Sequence, residues 1–198
     1  PSVYLPKYRA EVEENCKRMF RHLGIRDGMM FMQCKVEDGT CYVYDLAYRL
    51  TGSLEYKVLE RVCGYNPLEM MICHALTGKM GTESIADKAI PEFKTPAFNV
   101  SCLCAPGTIK KITGIEETKS FPEVEDVVIA HPPGETITEQ MRGLLSQITV
   151  RVLGSVRSKE RLLPVMQRID NIIHINGEQG EELLLPGIEY GDIEGYVI

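Results

Sequence analysis

The sequence predicts an α+β fold in which antiparallel strands and helices make up two successive parts of the chain. In the first part an amphipathic helix pattern is followed at once by a β-hairpin signal, and in the second part strands outnumber helices. Between them, residues 78–96 are poor in apolar side chains and contain two prolines. We therefore expect one domain over residues 1–85 and a second over residues 97–198.

The first part is predicted to hold three helices and one hairpin. Periodic apolar positions and turn residues place the helices over 6–23, 54–63 and 67–77 and the hairpin strands over 29–36 and 40–46. Asn66 is suited to cap the third helix, because its side chain can accept backbone N–H groups that have no partner at a helix start. Pro67 at the first helical position and Gly78 after the last one are typical of helix ends.

The second part predicts the order β-β-α-β-β-α-β, which is typical of a small α+β sandwich. The ranges are strands 98–104, 108–113, 124–130, 146–156 and 172–175 and helices 115–121 and 158–170. Pro164 falls inside the last helix, where proline is unfavourable. Cys102 and Cys104 lie on one face of the first strand of this part, and we expect them in the core.

The composition disfavours several classes of partner. The formal net charge is −6 and 44% of the residues are hydrophobic, so neither nucleic acid nor an anionic membrane surface is expected to bind. No apolar run is long enough to span a bilayer. None of the seven cysteines forms a C-x-x-C pair, so we expect free thiols in a reducing cytoplasm. The sequence leaves open whether the protein forms a homodimer.

The hairpin carries the side chains that are most informative about chemistry. Asp45 comes at the end of a strand that is otherwise apolar and aromatic, Arg49 follows four residues later, and Thr51-Gly52-Ser53 forms a turn of small residues. A carboxylate, a guanidinium and such a turn suit a divalent cation, a phosphoryl group and a carboxylate substrate. The structural alternative for Asp45 is a solvated residue at a strand end.

The length of the hairpin loop decides whether Gln33 and Asp45 can act together. A two-residue loop at Asp38-Gly39 turns the two side chains to opposite faces, whereas a three-residue loop puts both on one face, because side chains alternate along a strand. Gly39 suits the left-handed position of a three-residue loop. A joint site therefore requires the odd-length loop.

At these residues the sequence resembles the ATP-grasp superfamily, and more closely the carbamoyl-phosphate-synthase-like carboxylate–amine ligases and the L-amino acid ligases. The likeness lies in Asp45-Leu46-Ala47-Tyr48-Arg49 with the turn after it, in Asn66-Pro67-Leu68-Glu69-Met70 and in Pro106-Gly107-Thr108-Ile109. It covers most of residues 5–175. The resemblance implies that the first domain is the C-terminal part of the nucleotide-binding lobe, and that the second is a C-terminal domain of the amino acid ligase type.

The resemblance also implies ATP and Mg²⁺ as cofactors and gives roles to five residues. Asp45 and Gln33 would ligate the metal ion. Arg49 would be the catalytic residue that stabilises phosphoryl and acyl-phosphate oxygens. Gly52 and Ser53 would contact the substrate.

The chain departs from the family pattern at two positions and lacks one part of it. Gln33 replaces a glutamate and Ala47 replaces an asparagine, and no glycine-rich phosphate-binding motif is present. We therefore expect the C-terminal part of a longer C–N-bond-forming ligase, inactive by itself. Its partners would be the N-terminal lobes of the same protein and small carboxylate and amine substrates. The alternative is a non-catalytic ATP-grasp relic that binds a small molecule or has a regulatory role.

Overall fold

The computed structural model describes residues 2–82, 84–85, 87–92 and 94–187. The chain divides into two compact units, with the division between residues 93 and 94. None of the helices in the described ranges has the length and apolar character that crossing a membrane requires.

The first unit begins with a helical segment whose apolar stripe packs on the hairpin. The segment consists of α1 (Leu5–Tyr8), a π-helical turn (Arg9–Glu13) and α2 (Glu14–His22), which confirms the predicted helix. Its contact with the hairpin is a small apolar cluster of Tyr8, Val12, Cys16, Phe20, Met32, Val36, Cys41 and Val43. This cluster defines an inner, helix-facing side of the hairpin and leaves the other side open.

The hairpin turn has two residues, which decides between the two loop lengths that the sequence left open. Strand β1 (Phe31–Glu37) pairs antiparallel with β2 (Thr40–Ala47), and Glu37 lies opposite Thr40. Asp38 and Gly39 have φ values of +48° and +73°, the left-handed pair that a type I′ turn needs. Aspartate tolerates this region and glycine adopts it without steric cost, so the Asp-Gly pair favours the tighter turn.

Two short helices complete the regular structure of this unit. Helix α3 (Tyr56–Cys63) ends at Gly64, and α4 (Pro67–Thr77) ends at Gly78. The backbone N–H groups of Leu68 and Glu69 donate to Asn66 Oδ1 at 3.0 and 3.2 Å, so the predicted cap is confirmed. Residues 78–96 form no helix or strand where the structure describes them.

The second unit is built from two three-stranded antiparallel sheets and two helices, which confirms the α+β class. The sheet orders are β3-β7-β5 and β6-β4-β8. The elements are β3 (Ala97–Leu103), β4 (Gly107–Thr113), α5 (Ile115–Lys119), β5 (Val124–Ile129), β6 (Thr136–Ile137), β7 (Ile148–Ser155), α6 (Leu162–Ile172) and β8 (His174–Gly177).

Two details of this unit differ from the predicted pattern. The two-residue strand β6 has no counterpart in it, because two residues are too few to show an alternation. Pro164 lies in the first turn of α6 rather than its interior, where a missing N–H leaves no intrahelical bond unmade.

The core of the second unit lies around the central strand β7. Val150 and Val152 of this strand are fully buried, and Cys102 and Cys104 are buried beside them as expected. Burial raises the pKa of the Cys102 thiol to about 12, so this sulfur stays protonated and acts as a packing group.

The exposed carboxylate of Glu182 holds together backbone segments of the same unit. Glu182 Oε1 accepts from the backbone N–H groups of Ile175 and Leu184 at 3.0 and 3.2 Å, and His174 Nδ1 lies 3.0 Å from Glu182 Oε2. Burial alone would raise the pKa of Glu182, but these hydrogen bonds outweigh it and hold the pKa below its ordinary value.

The turn geometry predicts the effect of replacing Gly39. Gly39→Ala places a Cβ in the left-handed region and should destabilise the hairpin by about 1 kcal/mol. Gly52→Ala is the matched control, because Gly52 lies outside the positive-φ residues and a Cβ there meets no atom within 4 Å. Amide hydrogen exchange of β1 and β2 measures both. Equal protection in the two variants would contradict the type I′ turn.

The hydrogen bonds of Glu182 predict an acid-sensitive second unit. Because its folded pKa is lowered, the carboxylate stabilises this unit above its unfolded pKa, and the stabilisation is lost as pH falls through the folded pKa. Glu182→Gln should therefore flatten the pH dependence of the urea midpoint below about pH 5. The exposed control Glu117→Gln should leave the slope unchanged, and an equal slope in all three proteins would rule this role out.

Candidate functional site

The candidate site lies on the open face of the hairpin, where a β-bulge brings Gln33 opposite Asp45. The ladder is regular from Glu37 and Thr40 up to Cys34 and Val43, and then the register shifts so that Gln33 pairs with Asp45. Both candidate metal ligands therefore face the same side with a two-residue loop, so the expectation that a joint site requires the odd-length loop is wrong. A three-residue loop would have placed one more residue in the turn, whereas here the additional residue lies within β2.

The bulged residue is Tyr44, and the inner face of the hairpin explains its place. Cys41 and Val43 pack in the apolar cluster against the helical segment. Strict alternation after Val43 would turn Asp45 toward the same cluster, where an unpaired carboxylate is costly. One extra residue reverses the alternation, so that Tyr44 is 61% exposed and Asp45 joins the open face.

Arg49 is held on this face by an aromatic ring. Its guanidinium carbon lies 4.7 Å from the centroid of the Phe31 ring, and its Nη1 donates to the Leu50 carbonyl oxygen at 2.8 Å. Phe31 pairs with Ala47, two residues before Gln33 on β1 and two residues after Asp45 on β2, so this pair lies on the same face as Gln33 and Asp45. The stacked arginine thus lies at the end of the row that carries the amide and the carboxylate.

The charges of the site are available to a ligand. Gln33, Asp45 and Arg49 are all exposed, and no described residue makes a hydrogen bond or ion pair with the Asp45 carboxylate. Across the described ranges, no group of three or more His, Cys, Asp or Glu side chains is arranged to hold a metal ion. One carboxylate and one amide oxygen are hard donors that suit Mg²⁺, but they fill only part of its coordination shell.

The turn after Arg49 leads directly into α3. The Thr51 hydroxyl donates to the Glu55 carboxylate, which ties the loop to the start of the helix. Gly52 is exposed and Ser53 is half-buried in this loop. The structure therefore joins Gln33, Asp45 and Arg49 on one face, while the two predicted substrate residues lie in the loop that follows.

Two contributors to the site were not predicted from the sequence. Phe31 supports Arg49, and its position two residues before Gln33 on the same strand face was the available signal. Tyr44 is the extra residue of the bulge, and no local sequence motif predicts a bulge at this position.

Comparisons with known proteins identify the fold. No family model matches the sequence, and no curated protein sequence matches it significantly. The structure is similar to an L-amino acid ligase from Bacillus licheniformis (TM-score 0.69, 23% identity, 90% of this chain and 43% of that one). It is also similar to a phosphoribosylglycinamide synthetase from Anaerococcus prevotii (TM-score 0.69, 12% identity, 90% of this chain and 44% of that one).

A third similar structure is N5-carboxyaminoimidazole ribonucleotide synthetase from Thermotoga maritima (TM-score 0.52, 18% identity, 84% of this chain and 44% of that one). The chain thus has the fold of part of these ligases and synthetases, which confirms the fold expected from the ATP-grasp resemblance. It spans less than half the length of each of these structures.

The pairing of Gln33 with Asp45 predicts a Mg²⁺-dependent variant. Gln33→Glu sets two carboxylates opposite each other and should destabilise the hairpin by up to about 1 kcal/mol without a cation. Millimolar Mg²⁺ should restore the lost stability, since two acids then share the ion. Hydrogen exchange of β1 and β2 with and without MgCl₂ is the measurement.

The neutral variant Gln33→Met is the control and should show no response to Mg²⁺. If Mg²⁺ fails to stabilise Gln33→Glu, or stabilises both variants equally, Gln33 and Asp45 do not contribute to one cation site.

Proposed function

We propose that this chain is the C-terminal part of an ATP-dependent ligase that activates a carboxylate as an acyl phosphate and joins it to an amine. The observation that carries the proposal is the row of Gln33, Asp45 and Arg49 on the open face of the hairpin. The shared fold with three ligases and synthetases supports it. The carbamoyl-phosphate-synthase-like type within this class is part of the same proposal.

Mg²⁺ would be held by Asp45 and Gln33 together with phosphate oxygens of ATP. Mg²⁺ often uses one or two protein carboxylates and takes its other ligands from phosphates and water. A site with one carboxylate therefore fits an ion that arrives with the nucleotide. When bound, the ion would neutralise charge on the phosphates.

Arg49 would stabilise the negative charge of the transferring phosphoryl group and of the acyl phosphate. Its guanidinium presents several N–H donors in a fixed plane, which matches phosphate and carboxylate oxygens. Stacking on Phe31 keeps this plane in place before a ligand arrives, so little order has to be gained on binding. The loop at Gly52 and Ser53 would contact the carboxylate substrate.

The rest of the nucleotide site would come from the N-terminal lobes of the same protein. A lone two-stranded hairpin is marginally stable and offers one small face, so further strands or lobes are needed to enclose ATP. The substrates would be a small carboxylic acid and an amine. Seven free cysteines are consistent with a reducing cytoplasm for this ATP-dependent reaction.

Substitutions in the intact protein provide the test. Asp45→Ala and Arg49→Ala should each lower kcat/KM for ATP by about 100-fold or more, because each removes a charge aimed at the phosphates. The assay is phosphate release from Mg-ATP that depends on an added carboxylic acid.

Matched controls remove the same charges elsewhere. Glu37→Ala removes a carboxylate at the turn end of β1, and Arg18→Ala removes an exposed guanidinium of α2. Both should leave kcat/KM unchanged. If the intact protein neither binds Mg-ATP nor responds to the site variants, the ligase proposal fails and the non-catalytic relic is favoured.

A further inference from the structure

Three segments of the first unit meet at Tyr48, the residue between the end of β2 and Arg49. The Tyr48 hydroxyl donates to the carbonyl oxygen of Asp27 and lies 3.2 Å from His74 Nε2 on α4. The Tyr48 and His74 rings are edge to face, with centroids 5.9 Å apart. The chain just before β1, the chain just after β2 and α4 are therefore joined at one side chain.

The Asp27 carboxylate extends this junction. Its Oδ1 accepts from the backbone N–H groups of Gly28 at 3.1 Å and of Met80 at 3.0 Å. Asp27 thus fixes its own loop and the segment after α4, while its carbonyl oxygen receives Tyr48. The side-chain carboxylate and the backbone carbonyl of Asp27 therefore both contribute hydrogen bonds to the same junction.

Gly28 makes room for the tyrosine ring. It has φ +120°, and a Cβ at this position would overlap the Tyr48 ring and hydroxyl group. Tyr48 therefore packs directly on the backbone of Gly28, and no other residue type leaves enough space. This close approach fixes the ring as well as its hydroxyl group.

Counting protons assigns the state of His74. A tyrosine hydroxyl has one proton, and the Asp27 carbonyl can only accept, so that proton points to Asp27. The Tyr48 oxygen must then accept from His74, which requires a proton on Nε2. The neutral ring is therefore the Nε2–H tautomer, and a protonated ring would keep the same bond.

We propose that Asp27, Tyr48 and His74 form a clamp that positions Arg49 on the open face of the hairpin. The clamp fixes Tyr48 from the side of α4, and Arg49 follows as the next residue with its guanidinium over Phe31. Tyr48 and His74 are positioning residues that do not contact the ligand. The chemical use of Arg49 rests on the proposed function, whereas the clamp itself does not.

Nuclear magnetic resonance of the 198-residue chain tests the clamp without any ligand. The Phe31 ring should shift the Arg49 side-chain protons upfield, and long-range ¹H–¹⁵N spectra at pH 8 should show the Nε2–H tautomer of His74. Tyr48→Phe and His74→Leu should reduce the Arg49 shift by about half or more, since they release the chain before Arg49. His74→Gln should retain it, because its amide can still donate to Tyr48.

Tyr42→Phe is the control, since it removes an exposed hydroxyl from the middle of β2, and it should leave the Arg49 shift unchanged. The proposal is overturned if Tyr48→Phe leaves the Arg49 shift as in the parent, or if neutral His74 carries its proton on Nδ1. A loss in His74→Gln equal to that in His74→Leu would also overturn it, because only packing would then matter.

Activity of the intact protein separates this proposal from the proposed function. Tyr48→Phe should lower kcat about 10-fold and change KM for ATP less than about 3-fold, because Arg49 stays present but is less well placed. If Arg49→Ala leaves activity intact while Tyr48→Phe moves the Arg49 signals, the ligase role fails and the clamp stands. If Arg49→Ala abolishes activity and Tyr48→Phe leaves kcat unchanged, the clamp fails and the ligase role stands.

Discussion

The first unit depends on keeping the Asp45 carboxylate away from an apolar helix surface. Cys41 and Val43 on the inner face of the hairpin pack against that surface. A charged side chain at the next inward-facing position of β2 would be buried among apolar groups at a high cost in free energy. The bulge at Tyr44 resolves this conflict by moving Asp45 outward. The row of Gln33, Asp45 and Arg49 is thus a consequence of packing on the opposite side of the same two strands.

Periodicity and turn chemistry were sufficient to predict the helices and the hairpin of this unit. The capped start of α4 and the strands on either side of Asp38-Gly39 follow from residue types that act locally. The face of Asp45 could not be predicted in this way, because alternation assumes an unbroken ladder. The deciding contact is with a helix that lies more than twenty residues earlier in the sequence.

The second unit shows the same limit on a larger scale. Its long strands and α6 are visible as apolar runs, whereas the sheet orders depend on pairings between residues about fifty apart, such as Val100 with Val152. The sequence predicted Pro164 in the interior of the last helix, because helix boundaries are hard to place from sequence. In the structure it lies in the first turn of α6, where a proline costs no intrahelical hydrogen bond. Stacking of Arg49 on Phe31 is equally non-local, since it needs the finished hairpin.

The bulge at Tyr44 also affects how the sequences of related hairpins should be aligned. A chain one residue shorter between Gly39 and Asp45 would bring Asp45 opposite Gln33 through an unbroken ladder, because a two-residue turn pairs positions eleven apart there. The bulge can therefore absorb a one-residue insertion without moving the paired side chains. Relatives with and without the extra residue would keep the same spatial pair, so an alignment here should follow the rungs of the ladder and allow a gap at Tyr44.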